Sequence, residues 1–361
     1  PPATTPRPRT RTLVPPITVA VDANGADLGP AEVAAGARLA VGQGAHVILY
    51  GPASELGQAS EGLQIVDAPV SIAKSADPAR AARSTPQASI VQCARALAGG
   101  QARALVCAGG TGAALAAGLF NVKRASGIYR PALAIPLPVP GNPVTLLDVG
   151  ANAEARREHL VQFAFMGAAL AEAVLGVQTP RVGVLSNGEE DARGSKLVIE
   201  THAELAQRAG VSDAFSFVGN IEGDALLSGV ADVVVTDGLT GNIALKLIEG
   251  VSQTMLRAIR EAALSSPRSQ LGGLLLRPAL RSFAHSIDPE GQGGAYLLGL
   301  RALAVVPHGR FTRHGFAQAI LRARRGATED LTARTHAALS AAGALRTRAL
   351  SAQDASLPPI S

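Results

Sequence analysis

Short apolar runs recur along the chain, at residues 17–21, 46–49, 104–107, 146–149, 181–185, 215–218, 232–236 and 303–306. Each has the length of a strand and too few polar positions to leave a face in water, so each predicts a strand buried on both sides. Helical spacing fills the intervals. One such helix is expected to open with Thr85 as N-cap and Pro86 at its first position, and to stop at Gly99 and Gly100. Strands alternating with helices predict parallel pairing through crossovers, hence an α/β fold, a three-layer α/β/α sandwich with a mostly parallel sheet. In such a sheet the ligand loops follow the carboxyl ends of the strands.

The alternation fails in two places. Residues 1–16, PPATTPRPRTRTLVPP, offer nothing to bury and predict a disordered arm. Residues 251–287 are helical with no intervening strand and set Leu, Met and Phe beside Arg257, Arg260, Arg268, Arg277 and Arg281, which predicts a helical excursion from the sheet. Such an excursion serves as a solvated hairpin or dimer contact, or as an amphipathic surface for anionic lipid or an acidic partner. The main α/β domain is placed at 17–325, and a C-terminal helix with a flexible tail at 326–361.

Composition narrows the chemistry. A hydrophobic share of 47% over 361 residues supplies a large core; with 3% aromatics and no Trp, that core must be built from Ala, Val, Leu and Ile. Cys93 and Cys107 have no metal-ligand spacing, and both are expected in the core of a protein from a reducing compartment. The net charge of +5 and pI near 9.7 permit an acidic partner or an anionic membrane surface. Nucleic acid is disfavoured, because no basic segment is interleaved with stacking aromatics. No apolar stretch of the ~20 residues that cross a bilayer is evident. No metal or cofactor is called for: there is no Walker A loop, and the glycines of GGTGAAL at 109–115 lack the spacing of a dinucleotide fingerprint.

Five loops place Gly beside Asp, Asn, Thr or Glu directly after a predicted strand. The first holds Asp22, Asn24, Gly25 and Asp27; the second holds Gly109, Gly110, Thr111 and Gly112. The third holds Asp148, Gly150 and Asn152, and the fourth holds Gly188 and Arg193 and leads through Ser195 and Lys196 into a helix. The fifth holds Asp237, Gly241 and Asn242. Any one of them is ordinary turn chemistry. Together they predict a site for an anion, since glycines let backbone N–H groups approach it and helix starts favour negative charge. His308, with Gly309, is the histidine in a comparable loop.

At these loops the sequence resembles the bacterial phosphate acyltransferase family PlsX, from about Ile17 to about Ala323. The resemblance is carried by VDANGADLGP, AGGTGAALAAGLF, LLDVGAN, PRVGVLSNGEED, FVGNIEGDALLSGVADVVVTDGLTGNIALKLIEG, GGAYLLGL and the closing HG. It implies a fold similar to phosphate acetyltransferases and isocitrate-type dehydrogenases, in a cytoplasmic, peripherally membrane-associated homodimer. The implied reaction moves a fatty acyl group from acyl carrier protein to inorganic phosphate. The products are free carrier and an acyl phosphate for a downstream glycerol-3-phosphate acyltransferase of phospholipid synthesis. Asn24, Ala26 and Leu28 stand where the family usually has Met, Gly and His; Ser186 replaces Asn, Arg193 replaces Lys, and Arg310 with Phe311 replaces a small polar pair. The alternatives are a short-chain acyl-CoA phosphate transferase of the same fold and a weakly catalytic membrane scaffold.

Phosphate attacking a thioester needs positioning and stabilisation of the oxyanion more than a strong base. On that chemistry, phosphate contacts are assigned to Gly109, Gly110, Thr111, Gly112 and Asn152. Charge stabilisation falls to Arg193, with Lys196 as a second cation on the same helical face, and orientation or proton acceptance to Asp237. Asp22, Gly25, Asp27, Gly188, Asn220, Asn242 and His308 complete the expected binding set.

Overall fold

The computed structural model describes residues 16–139 and 143–346. The arm expected over 1–16 lies outside them save for Pro16, as does the tail beyond 346. The described strands are β1 (Thr18–Asp22), β2 (His46–Gly51), β3 (Leu63–Asp67), β4 (Ala104–Cys107), β5 (Ala132–Leu137), β6 (Val144–Leu147), β7 (Arg181–Leu185), β8 (Ser216–Ile221), β9 (Val233–Val235), β10 (Ala295–Leu298) and β11 (Leu303–Val306). They form one sheet in the order β3-β2-β1-β4-β11-β10-β5-β6-β9-β7-β8. The helices are α1 (Pro30–Val41), α2 (Ala53–Leu56), α3 (Pro78–Ser84), α4 (Ser89–Ala98), α5 (Thr111–Ala117), α6 (Arg157–Leu170), α7 (Lys196–Ala209), α8 (Gly238–Leu264), α9 (Pro267–Ser286), α10 (Arg313–Thr328) and α11 (Leu331–Ala341).

Alternation along the strands splits the core between the two faces of the sheet. Val19 and Val21 of β1 and Val106 of β4 face one layer with Phe163 of α6, Phe316 and Ile320 of α10 and Leu339 of α11. Ala20, Leu105 and Cys107 face the other layer with Ile90 and Leu97 of α4 and Ala114 of α5. The three-layer α/β/α sandwich is therefore present. Arg157–Leu175, which is α6 with the turn that follows it, is long and apolar enough to cross a membrane, but 83% of that window is buried inside the protein. Residue 326 falls inside α10, and Leu331, Leu339 and Ala344 beyond it belong to the same core.

Several expectations need correction. Residue Thr85 closes α3 rather than opening a helix; α4 starts at Ser89, and Ala88 N donates to Thr85 O in the turn between them. The local reason is Asp77, whose Oδ1 accepts from Arg80 N and which starts a separate short helix on Pro78. Strands β3, β5 and β10 were not expected, and two of them change the topology. β10 runs antiparallel to both β11 and β5, and β5 runs antiparallel to β6. The parallel set β6, β9, β7 and β8 consequently points opposite to the set β3, β2, β1, β4 and β11. Loops that follow the carboxyl ends of the strands thus leave the sheet at opposite rims, not at one. The excursion expected at 251–287 begins earlier, because α8 starts at Gly238 and pairs with α9 as a hairpin.

Candidate active site

The first rim gathers the loops after β1, β4 and β11. Asp27 N donates to Gly309 O at 2.8 Å. Gly109 has φ +86°, and a Cβ there would lie 2.8 Å from Gly25 O and 3.0 Å from the Gly309 Cα, so the three loops meet only because these positions are glycine. Asp22 does not face this surface. It is 1% exposed beneath it, with Asn24 N donating to Oδ1 at 3.1 Å and Cys107 Sγ 3.7 Å from Oδ2. Burial without a cation pushes its carboxyl up to about 7. Asn24 is buried as well, and its amide donates to Ala68 O and Ser89 Oγ. Burial likewise pushes up both Cys thiols, which are free.

The second rim joins the loops after β6 and β9. Asp148 is fully buried and accepts from the backbone N–H groups of Leu133, Gly150, Ala151 and Asn152 and from the Asn152 amide. Asn152 also donates to Pro131 O and accepts Gly238 N through its carbonyl. Its side chain is thus committed to joining loops. A Cβ on Gly241 would fall 1.9 Å from Asp148 O, so the start of α8 presses on this loop at a position only glycine fits. Asp237 caps that helix, with Oδ1 accepting from Leu239 N and Thr240 N and Oδ2 from the Thr240 hydroxyl.

The fourth loop stands beside β8. Arg193 is 64% exposed and pairs with Glu190 at 3.3 Å, its side chain covering Gly188; Lys196 is 88% exposed and pairs with Glu200. Asn220 is buried, its Oδ1 accepting from His202 Nδ1 and its amide nitrogen donating to Glu190 O, while His202 Nε2 lies 3.2 Å from Asp191.

Helix α8 brings the two rims together. It leaves the second rim and crosses one face of the sheet, where its apolar residues Leu245 and Ile248 pack on the core. Between it and the sheet runs a cleft of about 690 Å³, a size suited to a small ligand. Leu133, Ile135 and Leu137 of β5 form its floor, and Leu245, Ile248, Leu256, Phe283 and Ile287 its walls. Its polar lining includes groups from both rims, among them Gly109 and Thr111, Asn242, Lys246, Glu249, His308, Gly309 and Arg310. Burial first, then Arg310 and Lys246, hold the His308 imidazole below its ordinary pKa, and its Nδ1 accepts from Arg310 N at 3.3 Å. A neutral imidazole with that acceptor carries its proton on Nε2.

Of the expected residues, Gly109, Thr111, Asn242 and His308 share this cleft, with Gly25 and Asp27 packed behind Gly309. Gly110 and Gly112 turn toward Ala73 and Pro78. Arg193, Lys196, Gly188, Asn220, Asp237, Asn152 and Asp22 are not among the residues that line it. Lys246 and Glu249 were missed; the spacing Asn242, Lys246, Glu249, Gln253 marks one helical face, but only once the helix is known to start at Gly238. A larger, more open depression of about 1300 Å³ lies between α4 and the strands β2 and β3 at the edge of the sheet, away from every one of these loops. Among the described residues no three His, Cys, Asp or Glu side chains gather to hold a metal.

The architecture is that of the phosphotransacetylases. EutD phosphotransacetylase from Staphylococcus aureus superposes with a TM-score of 0.58 at 16% identity, over 86% of this chain and 94% of its own. The 4-hydroxythreonine-4-phosphate dehydrogenase of Klebsiella pneumoniae follows with a TM-score of 0.51 at 15% identity, over 86% of this chain and 99% of its own. Sequence likeness then goes beyond the fold. The family described as "Fatty acid synthesis protein" matches residues 17–334. The phosphate acyltransferase of Anoxybacillus flavithermus is 41% identical over 319 residues, 87% of this chain and 95% of that protein. That of Thermobifida fusca is 43% identical over 312 residues, 84% and 86%. The chain belongs to this phosphate acyltransferase family, and it is an acyltransferase that works with phosphate.

Proposed function

We propose that the donor is a long-chain acyl thioester of acyl carrier protein and that the product is an acyl phosphate used in phospholipid synthesis. The observation that carries this reading is the cleft, an apolar trough with polar groups from both rims in its lining. A fatty chain can lie along Leu133, Ile135, Leu245 and Ile248, with its carbonyl toward Gly109 and His308 of the first rim.

A phosphate oxygen attacks the thioester carbon, the carbonyl oxygen takes the negative charge, and the C–S bond then breaks. The carrier leaves as a thiolate; its pKa of about 8.5 makes acid help unnecessary. Neutral His308 donates from Nε2 toward the oxyanion, and the loop with Gly109 and Thr111 offers backbone contacts to phosphate. Asp237 acts by orientation, since it fixes the start of the helix that carries Asn242. Arg193 serves as a flanking cation: an exposed pair such as Arg193–Glu190 contributes about 0–1 kcal/mol, so an anion can take the place of Glu190.

The α8–α9 hairpin supports the remaining expectations. Leu239, Ile243, Leu247, Val251, Met255 and Ile259 are exposed at intervals of one helical turn, a seam suited to a second copy of the chain. Leu264, Leu271, Leu274 and Leu275 are exposed toward the hairpin turn, with Arg268 among them, a surface suited to an anionic cytoplasmic membrane face. The deciding assay follows free carrier thiol from palmitoyl carrier protein with and without phosphate, and traps the product as hydroxamate. Phosphate-dependent release with palmitoyl hydroxamate is expected. Product from acetyl-CoA alone would replace this reading with the short-chain one, and no product from any donor would leave a scaffold.

A further inference from the structure

We propose that Lys246 is the cation that receives inorganic phosphate, and that its partner Glu249 competes with phosphate for it. The inference rests on the reading of the cleft as the site of acyl transfer to phosphate. Attack by a phosphate carrying close to two negative charges requires a positive group within the cleft itself. The Lys and Arg side chains in the lining are Lys246 and Arg310. Lys246 lies one turn beyond Asn242 on the same helical face, and its charge reaches His308 across the cleft. The same residue therefore stands between an amide from one rim and an imidazole from the other, where substrates held by both rims must meet.

Lys246 Nζ donates to Glu249 Oε2 at 2.9 Å, with the Glu249 side chain 21% exposed and the Lys246 side chain 54%. The lysine side chain is thus open to solvent, and its partner carries a single charge. Phosphate brings more charge and more acceptor oxygens, so it can displace the carboxylate, while Glu249 competes with it. Removing the cation must therefore weaken phosphate, and removing the competitor must strengthen it. A purely structural ion pair gives no such opposite signs.

The test measures KM for phosphate and for palmitoyl carrier protein in the parent, Lys246→Met, Lys246→Arg and Glu249→Gln. Melting temperatures show that each variant is folded. Lys246→Met should raise the phosphate KM about 10- to 100-fold, as expected for one lost charge-assisted hydrogen bond. The KM for the carrier substrate should stay within about twofold. Lys246→Arg should recover most of the loss, and Glu249→Gln should lower the phosphate KM. A parental phosphate KM in Lys246→Met, an equal rise in both KM values, or a raised phosphate KM in Glu249→Gln would overturn the assignment. Calorimetric titration with inorganic phosphate keeps the two readings apart. Phosphate binding lost in Lys246→Met, in a protein that forms no acyl phosphate, would sink the proposed reaction and uphold this site.

Discussion

Replacing Asp22 with Asn keeps the shape of the side chain and removes its proton equilibrium. Asp22 is 1% exposed, and the groups that reach it are the Asn24 N–H, the Cys107 thiol and the Ser89 hydroxyl, none of them charged. Its carboxyl is raised from 3.8 to about 7, burial being the main cause. At 1.36 kcal/mol for each tenfold change in proton affinity, that corresponds to roughly 4 kcal/mol. The sign follows from proton counts. Between pH 4 and 7 the unfolded chain has released this proton and the folded chain has kept it, so stability falls as pH rises and levels off above about 7. Asp22→Asn lacks this loss. Urea unfolding at pH 5, 6, 7 and 8 should show the variant gaining on the parent by about 1.4 kcal/mol per pH unit up to neutrality. A constant offset contains only the change in packing. If the difference between the two proteins does not vary with pH, Asp22 is not a buried neutral acid and the reasoning fails.

Three further outcomes are expected. Arg193→Ala should lower turnover by no more than about fivefold, as an exposed flanking cation worth about 0–1 kcal/mol allows, with Arg193→Lys near parental; a loss of roughly 10²-fold would place the fourth loop in the chemistry itself. Leu274→Glu with Leu276→Glu should abolish co-sedimentation with anionic vesicles, since burying each leucine is worth about 1.5–3 kcal/mol; unchanged binding would refute the hairpin as the contact. Ile243→Asp with Val251→Asp should convert a dimer into a monomer by light scattering, and a dimer that survives both charges would show that the exposed α8 seam is not the interface.

The strands that could be read from the sequence are those whose burial is continuous. VVV at 233–235 and ALVC at 104–107 have no polar residue to suggest anything else. β5 carries Pro136 and β10 is four residues between glycines, so neither shows a strand pattern until its partners are in place. These two strands reverse the direction of half the sheet, which is why five similar loops looked like one site and are not. Asp22 and Asp148 look alike in sequence, each an acid just past an apolar run. One lies buried beneath its loop with its carboxyl pushed up to about 7, and the other collects four backbone N–H groups. Only the packing of neighbouring loops distinguishes them. Lys246 was hidden for a related reason: it falls between the fifth loop and the helical run expected from residue 251, and the face it shares with Asn242 depends on where that helix begins.

The order of strands also dictates when the site can exist. Val106 pairs with Val305 and Leu133 with Leu297, so the middle of the sheet is made from the last strands to leave the ribosome. Until residues 295–306 have been synthesised, the nascent chain holds two half-sheets whose bare edges, β4 and β5, expose unpaired N–H and C=O groups to each other and to any neighbouring chain. The hairpin that covers the cleft emerges before the strands that bring its two walls together. Such a chain closes slowly, because its central strand pairs are the most distant in sequence of all the pairs in the sheet. A nascent chain stopped before residue 295 has every residue of the second and fifth loops but no cleft between them. It leaves in its place an aggregation-prone gap.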